Sequence, residues 1–225
     1  MTVAPAPASK PSRRRQVDRT AETRRRILDA TTACLFKTGY SAVTFSTVSK
    51  EAGVSRGIIT YHFATKADLM VAVRDTIYSD ERHVLEETQS RIGAAEYLRE
   101  LPRLVLAGMR REPAIAVNEI LLAARADPEL TGKLRATEKD IDQRILTRLK
   151  GLYAEAGATP PANLSTIIHL AVSTFRGLAI ADLVQGDDGE VEASIDLFRD
   201  MLTLSIETQA KAAAEQGAAA AEKTG

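Results

Sequence analysis

The apolar positions in the first third of the chain recur at helical spacing. Between residues 27 and 35 the small and apolar residues fall at offsets of 0, 1, 4, 7 and 8, which places them on one face of a helix. The residues of this face are Ile27, Leu28, Thr31, Cys34 and Leu35. Gly39 follows them, and glycine commonly ends helices. The pattern predicts a first helix over residues 19–38.

Two short helices are predicted next. Thr44 can cap a helix of about eight residues, which carries Val48 and Ala52 inward and ends at Gly53. Ser55 can cap a third helix over residues 56–62, so only two residues separate the second helix from the third cap. Two short helices joined by a tight glycine-containing turn form a helix-turn-helix.

The remainder of the chain is also predicted to be helical, which makes the fold class all-α. Thr65 followed by Asp68 indicates a variant capping box that starts the fourth helix, and Pro113 separates two later helices because proline is tolerated only at a helix start. The predicted later helices cover residues 66–89, two segments between 98 and 126, residues 128–157, residues 163–185 and a last helix marked by apolar residues from 195 to 206.

Two of these helices are more hydrophobic than a single covered face requires. Apolar residues surround most of the circumference of residues 163–185, so this helix must be buried nearly all round. Together with the last helix it forms half of a four-helix bundle, and a second copy of the chain would supply the other half. The alternative is that one chain buries both helices by itself.

The charges are divided unevenly along a chain whose formal net charge is zero. Residues 1–70 hold twelve Lys or Arg against five Asp or Glu, so the rest of the chain is acidic. A basic segment followed by an acidic one is expected where one part meets a polyanion, although chance clustering would give the same count. The single cysteine, Cys34, lies in an apolar stripe, which fits buried packing in a reducing cytoplasm. We expect a cytoplasmic protein with no membrane association, because no run of 18 apolar residues and no signal peptide occurs.

The third helix carries the chemistry of the predicted helix-turn-helix. Arg56, Gly57, Thr60 and Tyr61 lie within about 140° of one another on this helix. A helix that enters the major groove needs donors and acceptors on this face and a small residue where its backbone approaches the bases. An ordinary solvated face is the alternative. The first turn also offers free backbone N–H groups to a phosphate, and Lys66 repeats this arrangement at the start of the fourth helix.

Residues 19–70 resemble the N-terminal domain of the TetR family of transcriptional regulators. The resemblance rests on the segment from Thr44 to Phe63, with its Gly-Val-Ser turn, and on the Lys-Ala-Asp-Leu that begins at Lys66. Ile58 and Thr60 depart from the residues that many members carry there. The resemblance implies a homodimer closed by the last two long helices. A dimer in turn implies a palindromic double-stranded DNA operator.

The same resemblance assigns roles to individual residues. Thr44, Ser46 and Thr47 would face DNA, Arg56, Gly57 and Thr60 would meet base edges, and Tyr61, His62 and Lys66 would contact phosphates. With the cap Ser55, the predicted DNA-binding set is Thr44, Ser46, Thr47, Ser55, Arg56, Gly57, Thr60, Tyr61, His62 and Lys66. His62 has a second interpretation as a core-side histidine. Arg13, Arg14 and Arg15 could form a minor-groove arm or a solubilising tail.

No motif in the sequence indicates an enzyme, a metal site or a cofactor. The helices between residues 98 and 175 are expected to enclose a small-molecule effector, with Met109, Asn118, Leu122 and His169 as its binding residues. The predicted function is a DNA-binding regulator, a repressor released from its operator by a small, largely apolar ligand. The alternative is a DNA-binding or adaptor protein of this fold without an effector.

The predicted organisation therefore has four parts. They are a disordered basic arm (residues 1–18), a helix-turn-helix DNA-binding domain (19–65), a helical ligand-binding and dimerisation domain (66–213) and a flexible tail (214–225).

Overall fold

The computed structural model describes residues 13–186 and 189–204, and every regular element within those ranges is a helix. The helices are α1 (Arg13–Ala42), α2 (Phe45–Ala52), α3 (Arg56–His62), α4 (Lys66–Ile92), α5 (Ala94–Met109), α6 (Glu112–Ala123), a 3-10 turn (Ala124–Ala126), α7 (Pro128–Glu155), α8 (Leu164–Gln185) and α9 (residues 190–204). The predicted all-α fold class is confirmed. The first part of the predicted arm, residues 1–12, and the predicted tail, residues 214–225, lie outside the described residues.

The predicted caps of the helix-turn-helix are present. The Thr44 hydroxyl accepts a hydrogen bond from the Thr47 backbone at 3.1 Å, and the Ser55 hydroxyl accepts one from Ile58 at 3.3 Å. Gly53 ends α2 in the left-handed conformation with φ 62°. Side-chain caps satisfy N–H groups that a helix start otherwise leaves unpaired. Short-range chemistry therefore sets the bounds of both short helices.

The first helix differs from its prediction at both ends. Its helical backbone begins at Arg13 rather than residue 19, and after a kink at Gly39 (φ 73°) a last turn reaches Ala42. Neither glycine nor proline occurs between residues 13 and 38, so nothing in the sequence stops the helix earlier. The helix thus includes residues 13–18 of the predicted arm, and the disorder of the arm in free solution stays a prediction.

One core joins the helix-turn-helix to the larger helical body. Its centre is formed by fully buried side chains of the first four helices, and it continues without a break into α6 and α7. The central residues are Ile27, Leu35, Val48, Ile59, Leu69, Met70 and Val73, and those of the body are Ala116, Val117, Ile120, Leu130 and Leu134. The predicted boundary after residue 65 separates successive helices but divides no core. The helices α6 and α7 therefore share one close-packed core with the first three helices.

A second core joins α5, α8 and α9. Phe175 and Phe198 pack edge to face with their ring centroids 5.1 Å apart. Arg110, which directly follows α5, forms ion pairs with Asp182 at 2.7 Å and with Glu192 at 2.6 Å. These contacts fix α8 and α9 to the rest of the chain.

The composition of α8 predicted that the helix is buried nearly all round, but the single chain leaves part of it exposed. Leu170, Ile180, Leu183 and Val184 are exposed, and Leu197 and Met201 of α9 are exposed as well. By length and composition Leu164–Val184 could also cross a membrane, with a mean hydropathy of 1.6, and only 17% of that window is buried. The apolar faces of α8 and α9 thus lie on the outside of one chain.

Candidate DNA interface and ligand cavity

The third helix presents the face predicted from its sequence. Arg56, Gly57, Thr60 and Tyr61 are exposed, Tyr61 to 79%, whereas Ile59 between them is completely buried. The Thr60 hydroxyl donates to the Gly57 carbonyl at 3.0 Å. The buried Ile59 holds α3 on the core, so its opposite face is presented to solvent.

Gly57 occupies this face without any internal need for glycine. It lacks the positive φ that favours glycine, and a Cβ placed on it would meet only the Ser55 hydroxyl, at 3.9 Å. Glycine lowers helix stability by about 0.5–1 kcal/mol relative to alanine. Nothing in the described part of the chain therefore requires glycine at this position.

Two of the side chains predicted to face DNA at the start of α2, Thr44 and Thr47, also use their hydroxyl groups to cap this helix. The Thr44 backbone N–H donates to the Thr47 hydroxyl at 2.8 Å, and the Thr47 hydroxyl donates to the Thr44 carbonyl at 2.9 Å. Ser46 lies between them and is exposed. Ser55, also exposed, caps α3 in the same way. These caps hold the N-termini of α2 and α3 in place on the exposed side.

Lys66 does not lie free at the start of α4. Its ammonium donates to the Tyr40 carbonyl at 2.7 Å and sits 3.7 Å from the centroid of the Tyr40 ring. Burial of the ammonium lowers the pKa of Lys66. Lys66 therefore makes an internal contact beside the kink at Gly39, and its predicted contact with a phosphate stays a prediction.

His62 has an intermediate position. It is half-buried, and its ring packs against the rings of Tyr61 at 5.2 Å and Phe63 at 6.1 Å. The ring is therefore partly covered by its neighbours along the chain, and both interpretations of His62 stay predictions.

Several basic residues of the N-terminal segment form contacts with other groups of the same chain. Arg25 forms ion pairs with Asp29 and Asp80, both at 2.8 Å, and Arg26 donates to the Ala52 carbonyl at 2.7 Å, at the end of α2. Lys37 pairs with Glu51 at 2.9 Å. The positive charge counted from the sequence consequently exceeds the charge that is free to meet DNA.

A cavity of about 840 Å³ lies between α4, α5, α6, α7 and α8, with α9 at its edge. Its lining is mainly apolar, and Met109 and Asn118 belong to it as predicted. Leu122, 70% exposed, and the exposed His169 do not line it, so their assignment to the cavity is wrong. Each lies on an outward face of its helix. Because α6 and α8 are apolar on most sides, the sequence pattern does not distinguish the outward face from the face that lines the cavity.

Sequence reasoning missed the contribution of α4 to the cavity. Arg74, Tyr78 and Glu81 line it from this helix, although the lining was expected only between residues 98 and 175. Arg74 is 8% exposed and forms two hydrogen bonds with Glu138, at 2.6 and 3.0 Å. The helix that follows the helix-turn-helix is thus itself a wall of the cavity.

A junction of polar groups links the last turn of α1 to the body. The Tyr40 backbone N–H donates to Glu119 Oε2 at 3.0 Å, and the Tyr40 hydroxyl donates to Asp127 Oδ2, also at 3.0 Å. Burial, assisted by the Asp127 hydrogen bond, raises the pKa of Tyr40 to about 12. Asn118, next to Glu119 on α6, lines the cavity. One helix therefore touches both the cavity and the base of the helix-turn-helix.

The described residues contain no group of three or more His, Cys, Asp and Glu side chains that could hold a metal ion. Nothing in the cavity lining resembles a nucleophile with an adjacent base.

Comparison with known proteins agrees with this arrangement. The family described as bacterial regulatory proteins, tetR family, matches residues 27–73. The transcriptional regulator TtgR of Pseudomonas putida is 29% identical over 85% of this chain and 97% of its own length. The transcriptional repressor AcnR of Corynebacterium efficiens is 26% identical over 77% of this chain and 88% of its own. The crystal structure of the multidrug binding protein EbrR complexed with imidazole has 25% identity and a TM-score of 0.55, covering 78% of this chain and 92% of that one.

The sequence match covers the helix-turn-helix, and the relatives and the solved structure extend it over most of the helical body. Residues 27–73 form a DNA-binding domain of the tetR family of bacterial regulatory proteins, and the chain is a DNA-binding transcriptional regulator.

Proposed function

We propose that the protein is a homodimeric repressor that leaves a palindromic operator when a small, largely apolar ligand enters the cavity. The observation that carries this proposal is the position of α6. Asn118 on α6 lines the cavity, and Glu119 beside it binds the backbone of Tyr40. A ligand that displaces α6 would therefore displace the turn that leads into α2.

The DNA-reading surface is the exposed side of α2 and α3, within a DNA-binding domain over residues 19–65. Arg56 and Thr60 supply hydrogen-bonding groups for base edges, and Gly57 allows the backbone of α3 to approach them. The surrounding contacts to the DNA backbone come from Thr44, Ser46, Thr47, Ser55, Tyr61 and His62. Lys66 must first leave the Tyr40 carbonyl to reach a phosphate, so we assign it mainly to holding the turn.

The body over residues 66–213 supplies the dimer interface through the exposed apolar faces of α8 and α9. Large contiguous apolar faces on a soluble protein mark an interaction surface. A second copy packed on these faces completes a four-helix bundle and explains why the composition of α8 also fits a membrane span. The resulting dimer would hold two α3 helices about 34 Å apart, one per half-site of a palindrome.

The ligand acts by binding one conformation better than the other. A molecule with equal affinity for the DNA-bound and free conformations shifts nothing. The cavity walls include α4 and α6, both of which pack in the core of the helix-turn-helix. We expect the effector to favour a position of these helices in which the two α3 helices no longer fit successive major grooves.

Selection of bound duplexes from a random library tests the DNA part of the proposal. A palindromic motif with half-sites one helical turn apart is the expected result, and an asymmetric site bound by a monomer would contradict it. A screen of apolar compounds for release of the selected duplex then tests the effector part. Compounds that stabilise the protein but never release DNA would favour a regulator of this fold without an effector.

A further inference from the structure

The charged residues of the cavity wall are nearly all paired with other protein groups. Arg74 pairs with Glu138, Arg82 with Glu86, Glu96 with Arg99, Glu100 with Arg103, Arg148 with Glu86 and Arg199 with Asp196. Paired charges present little unsatisfied potential to a ligand, because each is already compensated.

Glu81 and Arg176 are the exceptions among the lining residues. Neither forms a hydrogen bond or an ion pair with any residue in the part of the chain that the structure describes, and neither is fully buried. Burial raises the pKa of Glu81 and lowers that of Arg176, while each group opposes this effect on the other through its charge. The two groups thus line the same cavity, one from α4 and one from α8, with no bond between them, and the charge of each acts on the other.

Apolar residues lie beside them on the same helices, and Arg74, the lining residue whose charge acts most on both groups, is itself paired with Glu138. Val172 and Phe175 lie on the same helix as Arg176, and Tyr78 lies one turn before Glu81 on α4. An occupant thus meets one unpaired acceptor and one unpaired donor within a lining that otherwise favours hydrocarbon.

We propose that the effector has an apolar body and one uncharged polar group that both donates and accepts hydrogen bonds, such as a hydroxyl or a primary carboxamide. This inference rests on the proposed effector function. The polar group donates to the Glu81 carboxylate and accepts from the Arg176 guanidinium. A cationic ligand would be attracted by the Glu81 carboxylate but repelled by the Arg176 guanidinium. An anionic ligand would be attracted by Arg176 but repelled by Glu81. An uncharged group that can do both satisfies the two residues together.

A matched set of naphthalene derivatives tests this selectivity. Naphthalene, 2-naphthol, 2-naphthoate and 2-naphthylmethylammonium share one apolar body and differ only in the polar group. Their binding to the full chain at neutral pH is followed by naphthalene fluorescence and calorimetry. We expect 2-naphthol to bind about ten times more tightly than the other three, since a hydrogen bond to a charged group is worth about that factor.

Two isosteric or neutral substitutions should change the order of affinity in opposite directions. Glu81→Gln removes the negative charge that repels an anionic ligand, and it should improve 2-naphthoate about tenfold relative to 2-naphthol. Arg176→Gln removes the positive charge that repels a cationic ligand, and it should improve 2-naphthylmethylammonium in the same way. Arg82→Gln and Glu100→Gln alter charged lining residues that are already paired, and they should preserve the wild-type order. Circular dichroism verifies that each variant is folded, and either test variant suffices for the comparison.

A charged derivative that binds the wild type best would overturn the proposal, as would failure of 2-naphthol to bind. An order that stays unchanged in a folded Glu81→Gln or Arg176→Gln variant would overturn it as well. Binding is measured without DNA, so the proposed release mechanism is judged separately. If 2-naphthol binds with the expected selectivity but the operator is not released, the ligand class stands and the release mechanism fails.

Discussion

Replacing Gly57 by alanine is expected to separate the stability of the protein from its affinity for DNA. A Cβ at this position meets only the Ser55 hydroxyl, at 3.9 Å, which is ordinary van der Waals contact. Alanine loses less backbone freedom on folding than glycine. Gly57→Ala should therefore raise the free energy of unfolding by about 0.5–1 kcal/mol.

The added methyl group should act against DNA binding, because it occupies the space between α3 and the bases. A misfit of one methyl group in a close-packed contact costs at least about 1 kcal/mol. A dimer places two copies on one operator, so the cost is about 2 kcal/mol, or roughly 30-fold in affinity. Fluorescence anisotropy with the selected operator measures this loss, and chemical denaturation measures the stability.

Gly132→Ala provides the matched control. Gly132 is an exposed glycine inside α7, and a Cβ there meets nothing within 4 Å. This substitution should give a similar gain in stability and leave operator affinity unchanged. The reasoning is refuted if Gly57→Ala binds the operator as tightly as the wild type, because α3 then does not approach the bases closely at this position. It is also refuted if the substitution destabilises the protein, because the added Cβ then does not lie in open space.

Four further changes have expected outcomes. Arg56→Ala should cost about 1–3 kcal/mol in operator binding and relax the base preference at one position per half-site. Binding to singly substituted operators measures both effects, and an equal loss of affinity on all sequences would contradict a contact between Arg56 and a base. Glu119→Ala should lower the free energy of unfolding by about 1–3 kcal/mol and speed hydrogen exchange of the Tyr40 amide, because this N–H loses its acceptor. Glu119→Gln keeps an acceptor oxygen, so it should change the stability and the exchange rate less. Leu183→Glu should give monomers by light scattering and abolish operator binding. The control Val84→Glu changes an exposed apolar position on α4 and should remain dimeric. A dimeric Leu183→Glu protein would show that the dimer interface lies elsewhere. The raised pKa of Tyr40, about 12 against an ordinary 10.0, stabilises the fold fully below pH 10, and this stabilisation is lost as the pH rises toward 12. Denaturation of the wild type and Tyr40→Phe across this range should therefore show the steeper loss in the wild type, and parallel curves would exclude the linkage.

Much of the fold could be predicted from the sequence because it depends on interactions within a few residues. The caps at Thr44, Ser55 and Thr65 each bond to a backbone N–H three residues later, so residue type and spacing suffice to place them. The buried side of α3 follows from helical periodicity in the same way. The exposed face that includes Arg56 and Gly57 was predictable for this reason.

The start of α1 and the coverage of α8 were harder to predict from the sequence. Residues 13–18 contain charged residues that suit either a helix or a disordered segment, and continuity with the stable part of α1 decides between them. The hydrophobicity of α8 indicated burial but not whether its own chain or a second copy provides the cover. The exposed positions of Leu183 and Val184 exclude complete cover by the described part of one chain.

The sequence by itself determined the helices, their caps and the face of α3, because all of these depend on neighbours along the chain. Only the tertiary structure decided that Lys66 binds the Tyr40 carbonyl, that Glu119 binds the Tyr40 amide, and that Glu81 and Arg176 remain unpaired in the cavity. Glu119 lies 79 residues from Tyr40, and no local pattern encodes a contact across that separation. A charged residue has the same propensity whether it faces water, a partner or a cavity, so its role depends on which helices pack against it.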